Sequence, residues 1–231
     1  MQTLQTSQTL SYSLAHPWTV ERGTLWAIEP AAGLPPPCEA RLPVIFKEVQ
    51  GDETDALAAA MQRPGASKMV QERLAGNRRC FVLKHDNQIV TYGWVTRGPE
   101  GVGELERRFN LLPTEAYIWD CVTLPQWRGQ RLYSALLSEL IYQLHNEGAP
   151  RIWIGASREN EPSVRGFVNA GFKPVLDLVY RRFLLLTVMW LDLARPPRNG
   201  LAQAAYRLLV NKHERRLGRL VIGFHGAPYH D

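Results

Sequence analysis

Cysteine is scarce in this chain of 231 residues: Cys38, Cys80 and Cys121 lie far apart, with no Cys-x-x-Cys pair and no His-x-x-x-His partner. That spacing suggests neither a disulfide framework nor a structural zinc site, no metal is expected, and a reducing cytoplasm is the expected compartment. Long apolar runs are missing as well. The longest, residues 183–191, is less than half of the roughly 20 residues that a membrane-crossing helix needs. The first ten residues hold neither a basic segment nor an apolar one, which argues against a cleaved secretory leader. No repeat of solenoid or propeller period is visible. A charge excess is absent from most of the chain: residues 195–231 carry seven Arg or Lys against Glu214 and Asp231, and this +5 equals the charge of the whole chain. Residues 1–194 are therefore neutral. No nucleic-acid partner is expected from such a body, and any attraction to a polyanion belongs to the C-terminal segment.

What the chain does have is a hydrophobic fraction of 45%, enough to fill a core. Residues 1–16 are polar, 18–29 alternate as a strand or hairpin would, and the Gly33-Leu34-Pro35-Pro36-Pro37 run reads as a stiff connector. Residues 1–40 are accordingly expected to be an extension and linker, with the main domain over 41–193. Within it the patterning predicts a strand at 44–49, helices at 55–62 and 67–75 with Ser67 as an N-cap, and strands at 80–84 and 88–97 around an Asp86-Asn87 hairpin turn. A strand at 116–124, a core-facing helix at 129–147, a strand at 151–155, a helix at 162–170 capped near Asn160, and a strand from 172 follow. No turn signal divides 174–193. The order describes a mixed α/β domain with a central sheet. In the tail, Leu201, Ala204, Ala205, Leu208 and Leu209 share one helical stripe with bases opposite. Residues 194–231 are expected to be a basic helical extension, docked on its own domain or laid on an anionic membrane surface or a partner.

The segment from Tyr117 to Leu137 carries the chemistry. A strand runs straight into a Gly-containing turn and then a long helix, so the first helical N–H groups lack partners and face whatever occupies the turn. Taken alone, an Arg-Gly pair at such a place is more often an ordinary turn. The surroundings add to it: Pro125-x-x-Arg128-Gly129 enters the turn, and Asn160-Glu161-Pro162-Ser163 downstream is followed by Phe167 and Gly171-Phe172.

With these features the sequence resembles the GNAT superfamily of N-acetyltransferases, over roughly residues 41–193. Its acyl-CoA loop reads Arg/Gln-x-x-Gly-x-Gly/Ala and its last helix Asn-x-x-Ser/Ala-x-x-x-Tyr-x-x-x-Gly-Phe. The resemblance implies a GNAT-like sheet flanked by helices and an acetyl-CoA cosubstrate. Gln126, Gly129 and Arg131 take the three defined places of the pyrophosphate loop, within the turn Arg128, Gly129, Gln130, Arg131, Leu132 and Tyr133; Asn160 and Ser163 take places beside the pantetheine or phosphate. Two positions depart from the pattern. Arg131 stands where Gly or Ala is expected. Phe167 replaces the Tyr that many relatives use as acid toward the departing thiolate; it is expected to pack on the pantetheine arm, with Tyr133 as the substitute acid.

The physical logic stands beside the resemblance. Pantetheine amides can pair with an exposed strand edge, for which Cys121, Val122 and Thr123 are the candidates, and a backbone N–H there can polarise a thioester carbonyl. An alkylammonium with a pKa near 10.4 is inert until deprotonated, so a carboxylate or a water relay must take its proton. Asp120, Glu104 and Glu106 are the candidates. Asp120, amid Ile118, Trp119 and Val122, is costly without a partner or a task, and a structural hydrogen-bonded role is the equal alternative. Trp94, Trp119 and Trp153 read as core, and Cys121 as a small core residue. The expectation is an acyl-CoA-dependent N-acetyltransferase acting by direct transfer on a small-molecule amine, with an amino sugar hinted at by the Asp120 to Tyr133 phrase, as a monomer or homodimer. Alternatives are a non-catalytic CoA-binding module, which Arg131 and Phe167 keep open, and an aminoacyl transferase of related fold.

Overall fold

The computed structural model describes residues 18–102, 107–184, 186–193 and 200–224. Strand β1 (Trp18–Ile28) leads to β2 (Ile45–Glu48), helices α1 (Thr54–Met61) and α2 (Ala66–Ala75), and the hairpin β3 (Arg79–His85) and β4 (Gln88–Thr96). A small pair, β5 (Glu100–Val102) and β6 (Arg107–Phe109), precedes β7 (Ala116–Thr123), α3 (Leu132–Asn146), β8 (Ile152–Ser157) and α4 (Glu161–Asn169). The chain continues through β9 (Lys173–Phe183), β10 (Leu186–Leu193), α5 (Leu201–Leu209), β11 (Arg215–Leu217) and β12 (Leu220–Phe224).

Ten strands form one sheet in the order β11-β12-β10-β9-β1-β8-β7-β4-β3-β2. Only β7 and β8 run parallel; the other neighbours are antiparallel. Alternation along each strand sorts side chains into layers. Trp26, Phe81, Leu83, Ile152 and Ile154 face α3 and α4, whose Leu132, Leu136, Leu140, Ile141, Leu144 and Phe167 complete one core. On the opposite face Cys80, Val82, Tyr92 and Trp94 meet Leu57, Met61 and Val70 of α1 and α2. Further along that face Leu25, Ala27, Trp153, Leu176, Met189 and Val221 meet α5.

Several local expectations have a clear outcome. Asp86 and Asn87 both adopt positive φ (46° and 63°), the backbone a two-residue hairpin turn requires. The α2 N-cap is Gly65 at φ 72°, not Ser67, which lies inside the first turn. The run 172–193 is a hairpin turning at Leu184, whose φ of 52° no Leu announces. The β5–β6 pair was likewise without a signal.

The expected divisions at residues 40 and 194 do not match how the sheet is built. Strand β1 pairs with β8 from Gly23 to Ile28 and with β9 along nearly its whole length, so the N-terminal segment supplies an interior strand. At the other end β12 pairs with β10, and β11 with β12, so residues 200–224 hold one helix and two strands that widen the same sheet. The stripe on α5 is turned inward: Ala204, Ala205, Leu208 and Leu209 are buried against the sheet. Of the two alternatives for this stripe, the structure has the first, docking on its own domain. Among the described residues no helix is long and apolar enough to cross a membrane.

Ion pairs tie the far end of α3 to the sheet. Glu147 takes hydrogen bonds from Arg79 (2.7 and 2.9 Å), Arg97 (3.0 Å) and Gln143 (2.7 Å). The hydrogen bonds from Arg79 above all hold the Glu147 carboxyl at about 2, below its ordinary 4.5. A carboxyl lowered on folding stabilises above its unfolded pKa and loses that contribution as pH falls toward the folded value. Between pH 5 and 2 the Glu147→Gln variant is therefore expected to lose less stability than the wild type, as urea midpoints across that range would register. Leu208→Ala should cost about 2–5 kcal/mol by leaving a cavity under α5, read in the same unfolding experiment.

Candidate functional site

Strands β7 and β8 pair through Ala116, Tyr117 and Ile118 against Ile152, Trp153 and Ile154, and no pair follows. Past Ile118 the strands are held by other neighbours, β7 by β4 and β8 by β1, so they part. The parting opens a cavity of about 660 Å³. Its walls come from β1 (Glu21 to Leu25), β7 (Tyr117 to Cys121), β8 (Ile154 to Ser157), Tyr133 of α3, and Asn160 and Ser163 at the start of α4; Arg63 and Arg73 close it from the α1–α2 side.

A β-bulge sets the chemistry of the β7 wall. The register with β4 shifts between Tyr92, opposite Val122, and Trp94, opposite Trp119, which inserts one extra residue in β7. Asp120 takes the strained conformation, at φ 41°. Both Trp119 and Asp120 then face the α1–α2 layer. Gly93 lies across from the bulge, where a Cβ would stand 2.7 Å from Cys121 Sγ, so glycine makes the room that the Cys121 side chain uses.

Asp120 is fully engaged. Arg63 donates to Oδ1 (2.9 Å) and Oδ2 (3.3 Å), and Arg73 donates to Oδ2 (2.6 Å). Arg63 also donates to the Tyr92 hydroxyl at 3.2 Å. The Arg73 guanidinium lies over the rings of Trp94 (4.9 Å) and Trp119 (4.4 Å), which shield the pair from water. Of the two roles open to Asp120, the structure supplies the partners of the structural one. Trp119, expected in the core, lines the cavity and donates to Thr96 Oγ1 at 3.0 Å, whereas Trp94 and Trp153 are buried.

The turn after β7 begins with the short 3-10 segment Pro125–Trp127. Gly129 (φ 82°) and Arg131 (φ 59°) are both left-handed, which accounts for glycine at the first and makes Arg131 a strained occupant of the second. Arg131 pays that conformational cost with an exposed side chain. Arg41 holds the loop from outside: its N–H donates to the Gln130 carbonyl (2.9 Å) and its guanidinium to that of Gly129 (3.2 Å). In trans peptides the N–H points opposite to the carbonyl, so the N–H groups of Gln130 and Arg131 are directed away from Arg41. Leu132 is buried as the first core residue of α3. Gln126, Arg128 and Gly129 are exposed.

Tyr133, on the first turn of α3, reaches across Gly166 of α4, where any Cβ would overlap its ring. Burial, more than the nearby Cys121, pushes its phenol well above the usual value, with the Ser163 side chain acting in the opposite direction. The site thus holds a protonated phenol. Burial, followed by Asp120, likewise raises the Cys121 thiol, which argues against a thiolate nucleophile. Asn160 caps α4, accepting from the Ser163 N–H at 3.2 Å, so its oxygen is committed to the helix. Phe167 is buried, packed on Trp26, Tyr133 and Phe172, and does not line the cavity where pantetheine contact was expected. Val122 and Thr123 continue the β7 edge, while Glu104 and Glu106 lie outside the described residues. Sequence reasoning missed Arg63, Arg73 and Glu21, which come from segments 47 to 99 residues away from Asp120 in the chain. The one available signal was the cost of an acid in an apolar strand, which demanded a partner without naming it.

Comparison with known proteins places this geometry. The acetyltransferase (GNAT) family profile matches residues 46–172. Uncharacterised N-acetyltransferases of Mycobacterium tuberculosis and Mycobacterium bovis are 27% identical over 109 residues, which is 47% of this chain and 62% of theirs. The match thus spans less than two thirds of those relatives. Among solved structures, a GNAT-family acetyltransferase of Colwellia psychrerythraea superposes with a TM-score of 0.55 at 12% identity, over 75% of this chain and 60% of the other. A GNAT-family protein of Novosphingobium aromaticivorans gives 0.51 at 12% identity, over 78% and 69%.

The contact between Tyr133 and Gly166 yields a direct test. Gly166→Ala should force the Tyr133 ring out of place and cost about 1–3 kcal/mol by overpacking. Unfolding midpoints measure the cost, and the near-ultraviolet circular dichroism of the aromatic cluster should change with it.

Proposed function

Because the chain belongs to the GNAT acetyltransferase family, we propose that it is an acyl-CoA-dependent N-acyltransferase, moving an acetyl group from acetyl-CoA directly to a primary amine of a small molecule. An amino sugar is the finer reading of the acceptor. The observation that carries the proposal is the parting of β7 from β8 beside the free N-terminal turn of α3.

The residues present fit a CoA thioester. Beyond Ile118 the side of β7 that faced β8 has no strand partner, so Cys121, Val122 and Thr123 offer backbone groups to pantetheine amides as an added strand would use them. The N–H groups of Gln130 and Arg131, with those of the first α3 turn, suit a pyrophosphate, and open space around Gly129 leaves room for it. When bound, acetyl-CoA supplies the activated acyl group. The protein's part is to hold it, to polarise the carbonyl with a backbone N–H of β7, and to keep a proton on Tyr133 for the departing sulfur, while the amine gives up its own proton to a water relay through the open cavity. Asp120 serves here as an anchor: protonating it would cost the charge-assisted hydrogen bonds of two guanidinium groups. It fixes the bulge and with it the β7 edge.

CoA or acetyl-CoA should raise the melting temperature, since a ligand of the folded state alone stabilises by about 2.7 kcal/mol at a hundredfold excess over Kd. Gly129→Glu should abolish the shift by occluding and repelling the pyrophosphate, whereas Gly129→Ala, with the same backbone strain and no charge, should keep most of it. No shift at millimolar CoA with folded protein overturns the assignment. Release of free thiol from acetyl-CoA across an amine panel separates an enzyme from a non-catalytic CoA binder, and CoA binding separates both from an aminoacyl transferase. Tyr133→Phe should lower kcat by about 10² or more with CoA binding unchanged; an unchanged kcat would remove Tyr133 from the reaction.

A further inference from the structure

The charges on the α1–α2 side of the cavity are unbalanced. Two guanidinium groups, Arg63 and Arg73, share one carboxylate, Asp120. Arg73 is consumed by that ion pair and by the faces of Trp94 and Trp119, and its side chain is only 17% exposed. Arg63 differs. It is 41% exposed, lines the cavity, and uses two of its nitrogens on Asp120 and Tyr92, which leaves donors of a five-donor fork unused. The local surplus is one positive charge facing the opening.

On the far wall stands Glu21 of β1, also lining the cavity and half-buried, with no ion pair among the described residues. Strand alternation puts Glu21 on the same sheet face as Leu25 and Ala27, which pack with Tyr117 and Phe109. This is the face that Trp119 and Asp120 occupy. Arg22, the remaining charged residue of the lining, points by the same alternation to the α3–α4 face, away from Glu21. Phe109, Tyr117, Trp119, Leu25 and Leu178 line the same cavity, and their apolar surface strengthens both charges by lowering the local dielectric.

We propose that the acceptor is a primary amine that also carries an anionic group, a carboxylate or a phosphate, with Arg63 receiving the anion and Glu21 drawing in the ammonium. The inference rests on the acyltransferase reading and adds the acceptor's charge pattern to it. A guanidinium fork matches both oxyanions in two-point geometry, and Arg63 is already braced by Asp120 and Tyr92, so little freedom is lost on binding.

The test titrates CoA-saturated protein calorimetrically with two matched pairs: glucosamine against glucosamine 6-phosphate, and phenethylamine against phenylalanine. The anionic member of at least one pair should bind about tenfold more tightly, as a hydrogen-bonded charge pair gives, and the pair that responds tells phosphate from carboxylate. Arg63→Gln should level that pair and Arg63→Lys should keep part of the difference. Glu21→Gln should weaken both members and leave their ratio intact. Equal or weaker binding of the anionic member in both pairs overturns the proposal, and so does a preference that survives Arg63→Gln. An unchanged affinity in Glu21→Gln overturns the ammonium half. Failure to bind CoA overturns the acyltransferase reading instead, and the same titrations on the free protein then decide the charge pattern by the same criteria.

Discussion

Strands β7 and β8 stay paired for three residues and are then drawn apart by their outer neighbours. A parallel pair inside a sheet ordinarily satisfies its backbone groups along its whole length, so a gap here leaves polar groups that must find another partner. The bulge on β7 sets where the separated strand runs. It places an acid in a left-handed conformation, a strain of order 1–3 kcal/mol, and the two ion pairs to Asp120 offset it. The same ion pairs bring the α1–α2 connection over the opening. The parting of the strands thus gives the cavity and the open edge, and one inserted residue with the two arginines that hold it gives the charge cluster beside them.

The position of β1 gives the far wall. Because the N-terminal strand lies between β8 and β9, residues 154 to 157 of β8 face β7 across the gap, and positions 21 to 25, far in sequence from the rest of the site, line the cavity beyond them. It also frees the chain after β9 to run outward, where β10, β12 and β11 lengthen the sheet and α5 covers one face of the addition. Residues 200–224 are for this reason a structural layer: the apolar stripe is spent on the sheet and Arg207 pairs with the buried Glu115, while Lys212, Arg215, Arg216 and Arg219 stay exposed.

What could be read from the sequence was what is encoded locally. The Asp86-Asn87 turn, the periodicity of α3 and the strand-turn-helix around Gly129 each depend on residues a few positions apart, and each is present. The turn at Leu184 was invisible because a leucine there carries no turn preference; the pairing of β9 with β10 on both sides imposes the positive φ. The place of β1 and the two arginines on Asp120 were invisible for a different reason. They are long-range choices, made by which strand edge and which carboxylate remain open once the local elements form, and no short pattern records them. Asp120 marks the limit well: its cost in an apolar strand could be read, its partners could not.

The exchange between helices α3 and α4 shows how the site tolerates its departures from the family pattern. With phenylalanine at 167, the last helix has no phenol to offer, and that ring is sealed beneath the site by Trp26 and Phe172. Gly166 beside it removes the side chain that would block the neighbouring helix, and the Tyr133 ring fills the space from α3. In the proposed reading the glycine, the phenylalanine and the tyrosine act as one set, in which Tyr133 brings a phenol to the cavity from α3. Such a phenol is held by packing rather than by its own helix turn, so its position is only as firm as the contact between Tyr133 and Gly166. The acid role in our reading therefore depends on a residue with no functional group at all.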